Sequence, residues 1–416
     1  MNGGEAQAAT IPSSVDEWLV TLADAGALGS LLQPPREEQL RRGYGHTLRE
    51  IVQQPVTWIE TAARMREVVS SIEESLEGAT AIVMTGSGSS VYAAECVAPG
   101  LQRSLGLPVS AVPAGLILTH PDTCLPPSGR FLVVSLARSG NSPESRAVVD
   151  FLLESRSQAR HLFITCNREG ALATSYRDRS GVRTIVLDEK TDDRSLVMTS
   201  SFTNLVLAGR ALGGEPATAE ARARGLAGAA ARLLREQSSA LAEVARSGFG
   251  SVVYLGSGCR LGSAREAALK MLEMNGGDVW TLAESYLGLR HGPMSGIRPD
   301  SLLVAFLSSD PLVRAYELDL LRELDRKALG SRRVVLGAGI PRDLGSSTSV
   351  LALDGGAPPF ADEDLTLLDA VTGQLVAFFR CLAAGYRPDS PSQDSVITRV
   401  VSGFEIHRPN GARRAP

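Results

Sequence analysis

Two α/β domains in tandem, each a five-stranded parallel sheet flanked by helices as an α-β-α sandwich, are what the sequence predicts, and three observations predict them. First, the run Ile82-Val83-Met84-Thr85-Gly86-Ser87-Gly88-Ser89-Ser90 is rewritten about 170 residues later as Val252-Val253-Tyr254-Leu255-Gly256-Ser257-Gly258-Cys259-Arg260. Second, the echo continues: Pro108 to Ala114 matches Asp278 to Ser285, Phe131 to Leu136 matches Ser301 to Leu307, His161 to Cys166 matches Arg332 to Gly337, and Thr184 to Leu187 matches Val350 to Leu353. Short runs rich in Val, Ile and Leu, separated by helical stretches, are the mark of buried parallel strands in βαβ units. Third, 416 residues suit two cores of ordinary size better than one.

Taken in order, residues 1–50 form an N-terminal extension with helices. Residues 1–15 are small and polar, and the spaced apolar residues of Val15 to Leu32 predict one short helix. Thr47 to Gln54 lead to Pro55 and Trp58; the proline ring forbids a helix running smoothly through it, so one helix is expected to end there and another to begin toward Leu76. The first domain is set at 51–215. Gly213-Gly214-Glu215-Pro216 then breaks the chain before an Ala-rich helical stretch, Ala217 to Arg246, expected to pack between the domains. This linker helix and the second domain fill 216–386. Beyond Arg387, Pro388, Pro391, Pro409 and Pro416 punctuate a tail, 387–416, with one apolar run, Val396 to Phe404; the tail is expected to wrap over a neighbour.

Composition excludes several classes of function. The formal net charge is -4 with both signs interspersed, so there is no basic stripe and no nucleic-acid partner is expected. Five cysteines, Cys96, Cys124, Cys166, Cys259 and Cys381, form no CxxC pair and are odd in number, which argues against a disulfide framework or zinc site and for a reducing, cytoplasmic setting. The N-terminus lacks a signal-peptide pattern, and no run approaches the roughly 18 apolar residues that span a bilayer, so no membrane partner is expected.

A strand that ends in glycines before a helix presents backbone N–H groups at the helix N-terminus, a natural seat for an anion. Neither Gly-Ser-Gly loop completes a GxGxxG or a GxxxxGK pattern, so nucleotide cofactors lose support. Glycine and serine also make plain strand-to-helix turns and caps. A second loop favours the anion: after Phe131 to Val134 come Ser135-Leu136-Ala137-Arg138-Ser139-Gly140-Asn141-Ser142-Pro143-Glu144, with hydroxyls, an amide and a cation outside a strand's carboxyl end, where open α/β sheets bind ligands. The equivalent segment, Leu307-Ser308-Ser309-Asp310-Pro311, lacks the glycine and gains an acid. The first half reads as the phosphate holder and the second as something else.

These loops resemble those of the sugar isomerase (SIS) superfamily. Thr47 to Gln54 with Pro55 and Trp58, Ala137 to Ser145, Met198-Thr199-Ser200-Ser201-Phe202-Thr203-Asn204, Ala264 to Lys270 and Arg290-His291-Gly292-Pro293 are similar to segments of its tandem-SIS AgaS branch, over roughly residues 40 to 405. That family comprises amino-sugar phosphate deaminases, often labelled tagatose-6-phosphate ketose/aldose isomerases. The resemblance implies two tandem SIS domains and phosphate contacts from Gly88, Ser89, Ser90, Arg138, Ser139, Gly140, Asn141 and Ser142. It adds sugar-hydroxyl contacts near Thr199 and Ser200, hydroxyls that otherwise read as helix caps. Ala137 stands where many relatives carry a hydroxyl.

Glu266, Lys270 and Glu273 recur at i, i+4, i+7 after the second glycine loop and share one helix face, with Ala264, Ala268, Met271 and Leu272 elsewhere. By itself this is a commonplace exposed Glu–Lys pattern. The resemblance makes Glu273 the base that moves a proton between C1 and C2, with Glu266 and Lys270 lining the same pocket. It gives His291 the opening of the sugar ring, often from a neighbouring subunit, which implies a homodimer or higher homo-oligomer; imidazole titrates near neutrality and suits that proton transfer. His120, in Thr119-His120-Pro121, is left as a surface or cap residue.

The reaction implied is conversion of a hexosamine 6-phosphate, galactosamine 6-phosphate favoured, to a ketohexose 6-phosphate plus ammonia, with no cofactor and no metal required. The chain begins Met1-Asn2-Gly3 without room for a glutaminase, and the tail after Arg387 has no lysine, which favours deamination or isomerisation over glutamine-dependent synthesis. The alternatives are an aldose-ketose isomerase of the tagatose 6-phosphate type and a non-catalytic sugar-phosphate-binding regulator. Retention of Glu273 and His291 weighs against the regulator, since binding alone needs neither.

Overall fold

The structure is a computed structural model and describes residues 11–330, 332–341, 344, 348–352, 360–392, 396–401, 403 and 405–407. Ten strands form two sheets. β1 (Ala81–Gly86), β2 (Val109–Pro113), β3 (Phe131–Ala137), β4 (Ala159–Thr165) and β5 (Val182–Val186) pair in parallel in the order β2-β1-β3-β4-β5. β6 (Ser251–Leu255), β7 (Trp280–Glu284), β8 (Leu302–Phe306), β9 (Arg332–Gly337) and β10 (Thr348–Ala352) form the second sheet, β10-β9-β8-β6-β7, the same topology met from its other edge. Every echo in the sequence is therefore a strand. Only Leu353, at the end of the last one, lies outside the described residues, as do residues 1–10, Phe404, Pro409 and Pro416.

The strands read as near-continuous apolar runs because helices cover both faces. Six helices organise the junction: α1 (Gln54–Glu67), α2 (Ser89–Leu105), α3 (Ser200–Arg210), α4 (Pro216–Arg232), α5 (Arg260–Met274) and α6 (Asp362–Ala383). α5 packs on both α6 and α2, α3 packs on α1 and α2, and α4 lies along α1. One apolar core runs from Met84 and Val134 of the first sheet through these helices to Tyr254 and Phe306 of the second. α6 is long and apolar enough to cross a membrane, but most of it is buried at the hub of this core. It approaches α5 closely because Gly373 has no side chain; a Cβ there would lie 2.4 Å from that of Ala267.

The Thr47–Trp58 and Met198–Asn204 segments form a buried polar ladder between the halves. Trp58 Nε1 donates to Thr203 Oγ1 (2.9 Å), which donates to Gln54 Oε1 (2.6 Å); Gln54 Nε2 donates to Gln374 Oε1 on α6 (2.7 Å), and Gln374 Nε2 to the Thr199 carbonyl (3.1 Å). Buried polar groups are tolerated when each finds a partner, and such a chain specifies one way of docking the helices.

Two local expectations change. Val15 to Leu32 forms two helices, Val15–Val20 and Gly26–Leu32, because the chain turns at Gly26, whose φ of +54° suits glycine. Pro55 does not terminate a helix; the preceding one, Gly45–Val52, is already over, and the proline occupies the first turn of α1, where its missing N–H costs nothing. Within the chain the start of the tail is tied down by Asp389, which accepts from the Thr47 N–H and hydroxyl (each 2.8 Å). The Ala-rich stretch is helical throughout, as α4, a π-helical turn Leu233–Gln237 and the helix Ser238–Arg246.

Candidate active site

At the carboxyl ends of β1 and β3, neighbours in the first sheet, lie the two serine loops. Gly86 is close-packed: a Cβ there would come within 2.5 Å of the Ser90 Cβ. Gly88 follows at φ +56° and ψ -128°, a backbone conformation that side chains disfavour, and this turn delivers Ser89 and Ser90 to the first turn of α2. In the second loop Gly140 has φ +65°. Asn141 Oδ1 accepts from the Ala171 N–H (2.9 Å), Asn167 Nδ2 donates to the Ser139 carbonyl (3.1 Å), Ser139 Oγ accepts from the Asn141 N–H (3.3 Å), and Ser142 donates to Glu144 (2.7 Å). The loop is thus held in shape by its own side chains and by the turn after β4.

The second half reaches this edge through α5. Gly262 allows the approach, since a Cβ there would stand 2.8 Å from Cys96 Sγ and 2.9 Å from the Tyr92 carbonyl of α2. Lys270 Nζ donates to Ser89 Oγ at 3.1 Å and lies 3.3 Å from Glu266 Oε1 and 2.5 Å from Glu273 Oε2. The charged face of α5 is the inner one. Glu266 and Lys270 are fully buried, Glu273 keeps 22% of its side chain exposed, and Leu272 is turned to solvent.

Burial pushes the Glu266 carboxyl up to about 7, and the neighbouring Glu273 adds to the effect, while Lys270 and Ser89 oppose it. Apart from the Lys270 ammonium, neither Glu266 oxygen has a partner of good hydrogen-bond geometry among the described residues. Burial works to lower the Lys270 ammonium, but Glu266 and Glu273 together outweigh it and raise it above the usual lysine value. The result is a fixed cation between two carboxyl groups, one enclosed and one partly exposed, beside the hydroxyl of the first glycine loop. Such a pairing of differently placed carboxyls suits proton transfer at neutral pH.

The remaining candidates are placed differently. Arg138 is buried and its guanidinium is taken up by the carbonyls of Leu196 (3.0 Å), Ser195 (3.4 Å) and Arg399 (2.7 Å), so it braces the loop. Thr199 and Ser200 are wholly buried at the start of α3. Asp193 caps that helix, accepting from the Thr199 N–H (2.7 Å), the Ser200 hydroxyl (2.7 Å) and the Ser201 N–H (2.8 Å), while Thr199 Oγ1 is buried without a partner in the described residues. His291 is exposed in the loop after the short helix Tyr286–Leu289, its ring bonded to no described residue, and Gly292 beside it has φ +127°. Among the described residues, nothing links it to the α5 cluster. His120 is exposed, its ring nitrogen 2.9 Å from the Thr119 hydroxyl.

Sequence reasoning missed Asp193, Glu144 and Arg399. An acid six to eight residues ahead of Thr199–Ser201 was the available signal for the first; the others carry none.

No family model matches the chain. D-galactosamine-6-phosphate deaminase AgaS of Escherichia coli O157:H7 is 32% identical over 87% of this chain and 95% of its own length. The chain belongs to the AgaS family. The enzyme of that name from Shewanella sp. strain ANA-3 is 31% identical, covering 89% of this chain and 94% of its own. Among solved structures, tagatose-6-phosphate ketose/aldose isomerase from Escherichia coli superposes with a TM-score of 0.80 at 31% identity, over 88% of this chain and 97% of that one. The AgaS-family fold is thus shared along nearly the whole length, with two tandem SIS sheets.

Proposed function

We propose that the protein is an amino-sugar phosphate deaminase that converts a hexosamine 6-phosphate, galactosamine 6-phosphate favoured, to a ketohexose 6-phosphate and ammonia. The observation that carries the reading is the contact of Lys270, flanked by Glu266 and Glu273, with Ser89 of the first glycine loop. It supports reading α5 of one half as the acid-base element and the glycine loop of the other as the anion seat. The names of the AgaS relatives support the substrate class.

In this reading the phosphate rests on Ser89, Ser90 and the Ser139–Ser142 loop. His291 assists ring opening, which exposes an aldehyde and makes the C2 proton removable. Glu273 takes that proton and returns it to C1 through an enolamine. Water then adds to the resulting C2 ketimine and ammonia leaves, so one water is consumed for each ammonia released. Lys270 holds Glu273 in place, and Glu266 tunes both.

His291 acts on the site of a second copy in this reading, in a cytoplasmic homodimer or higher homo-oligomer. The exposed apolar side chains of Trp280, which lies against Gly296, and of Leu287, in the helix before His291, support a covering partner. The domain division at 50, 215 and 386 is kept with it. The test is release of ammonia from galactosamine 6-phosphate and glucosamine 6-phosphate by the purified chain. No ammonia from either, with isomerisation of tagatose 6-phosphate intact, would replace deamination by the plain aldose-ketose reaction.

A further inference from the structure

The tail makes one set of contacts that the proposed chemistry does not use. Arg399, in the segment 396–401, lays its guanidinium on the turn ahead of α3. Nε donates to the Asp193 carbonyl at 3.0 Å, and Nη2 to Asp192 Oδ1 and to the Asp193 carbonyl, each at 2.6 Å. Its own carbonyl accepts from Arg138 Nη2 at 2.7 Å. Arg138 sits between β3 and Ser139, and its other amino group grips the carbonyls of Ser195 and Leu196. Two arginines therefore lace together three segments that are far apart in sequence: the serine loop after β3, the Asp192–Leu196 turn whose Asp193 caps α3, and the tail.

We infer that Arg399 is a positioning residue for the anion seat, and that the tail segment around it is a strap holding the Ser139–Ser142 loop in its binding shape. This rests on the reading of that loop as the phosphate seat. Arg138, engaged with three carbonyls and nearly inaccessible, acts on an anion only through the loop it braces. Removing the strap frees the loop to sample other shapes, and an anion then has to order it on binding. The Asp193 cap on α3 is made by that residue's carboxylate and does not depend on Arg399, so the fold tolerates the loss.

The test uses the full chain carrying Arg399→Ala or Arg399→Lys. Inorganic phosphate affinity is read by calorimetry, and KM and kcat on galactosamine 6-phosphate by ammonia release. Arg399→Ala is expected to weaken phosphate binding and raise KM by about tenfold with kcat unchanged, the signature of lost preorganisation rather than lost chemistry. Arg399→Lys keeps a donor for Asp192 and recovers part of the loss. Unchanged phosphate affinity in Arg399→Ala, a lowered melting temperature with affinity intact, or a fall in kcat at constant KM each overturns the inference. If the chain releases no ammonia at all, the phosphate arm still decides the strap while the deaminase reading fails separately.

Discussion

The loops that follow β3 and β8 leave equivalent strands of equivalent sheets, yet they are finished in different ways. After β3, Ser139 to Ser142 are braced by Asn141, Asn167 and Arg138, and the only carboxylate bonded to the four is the adjacent Glu144, among the described residues. After β8, the Ser308 N–H donates to Glu317 (2.7 Å), the Ser309 N–H to Asp362 (2.6 Å) and the Ser308 hydroxyl to the same Asp362 (2.5 Å). Where the first glycine loop places Ser90, the second places Arg260, fully buried, paired with Asp369 through Nε (2.8 Å) and Nη2 (2.5 Å), and bonded to the Leu307 carbonyl. In the second half the corresponding positions are occupied by internal carboxylates and an internal cation.

The helices launched by the two glycine loops diverge in the complementary sense. α5 carries Glu266, Lys270 and Glu273; the equivalent positions of α2 hold Cys96, Gly100 and Arg103. Because α2 and α5 pack on each other, the charged face of α5 meets the first turn of α2, where Lys270 reaches Ser89. Glu273→Gln is the sharpest way to break this division. Turnover should fall by roughly 10²–10⁴, the usual loss for a general base, with phosphate binding retained by calorimetry. Arg103→Gln, which loses only an exposed ion pair with Glu363, should leave turnover unchanged. Full activity in Glu273→Gln would remove that carboxylate from the mechanism.

The next effect is on stability and lies in the second half. Asp369→Ala strands the Arg260 charge in the core, which should cost about 3–5 kcal/mol of unfolding free energy in urea titration. Ser139→Ala in the first half should weaken phosphate binding and leave stability nearly untouched. Equal stability losses in the two variants would contradict the split between a structural seat and a working one.

The smallest effect is a pH slope. With the Glu266 carboxyl raised from 4.5 to about 7 by burial, the folded chain keeps a proton there that the unfolded chain has released between those values. Its stabilising contribution is complete below the lower value and is lost as pH climbs through the upper one. Melting temperatures across that window should therefore fall less in Glu266→Gln than in the parent chain. Parallel curves would show that Glu266 is ionised throughout.

Much of this was legible in the residues. The repeated glycine loop and the spaced β-branched runs located nearly all the strands, because a buried parallel strand demands an unbroken apolar run and its turn demands glycine. The i, i+4, i+7 spacing placed Glu266, Lys270 and Glu273 on one face. Nothing in that spacing says which face is inward; by pattern alone the charged side belongs in water, and Leu272 would be the buried one. The Arg138 cation likewise read as a phosphate contact, since its three carbonyl partners come from segments about 57 and 261 residues away.

The sequence by itself determined the duplicated topology and which residue types stand at each strand end, since these follow from local periodicity and turn chemistry, and its motif segments carried the resemblance to the family. The tertiary structure alone decided that α5 turns its charges toward Ser89, that Arg260 pairs with Asp369 beside Asp362 in the second half, and that Arg399 reaches back to Asp192 and Asp193. Each of those outcomes depends on α5 meeting α2 at Gly262 and α6 at Gly373, or on a tail returning across the chain. Close packing between segments far apart in sequence, and the need to pair every buried charge, leave no trace in any local pattern.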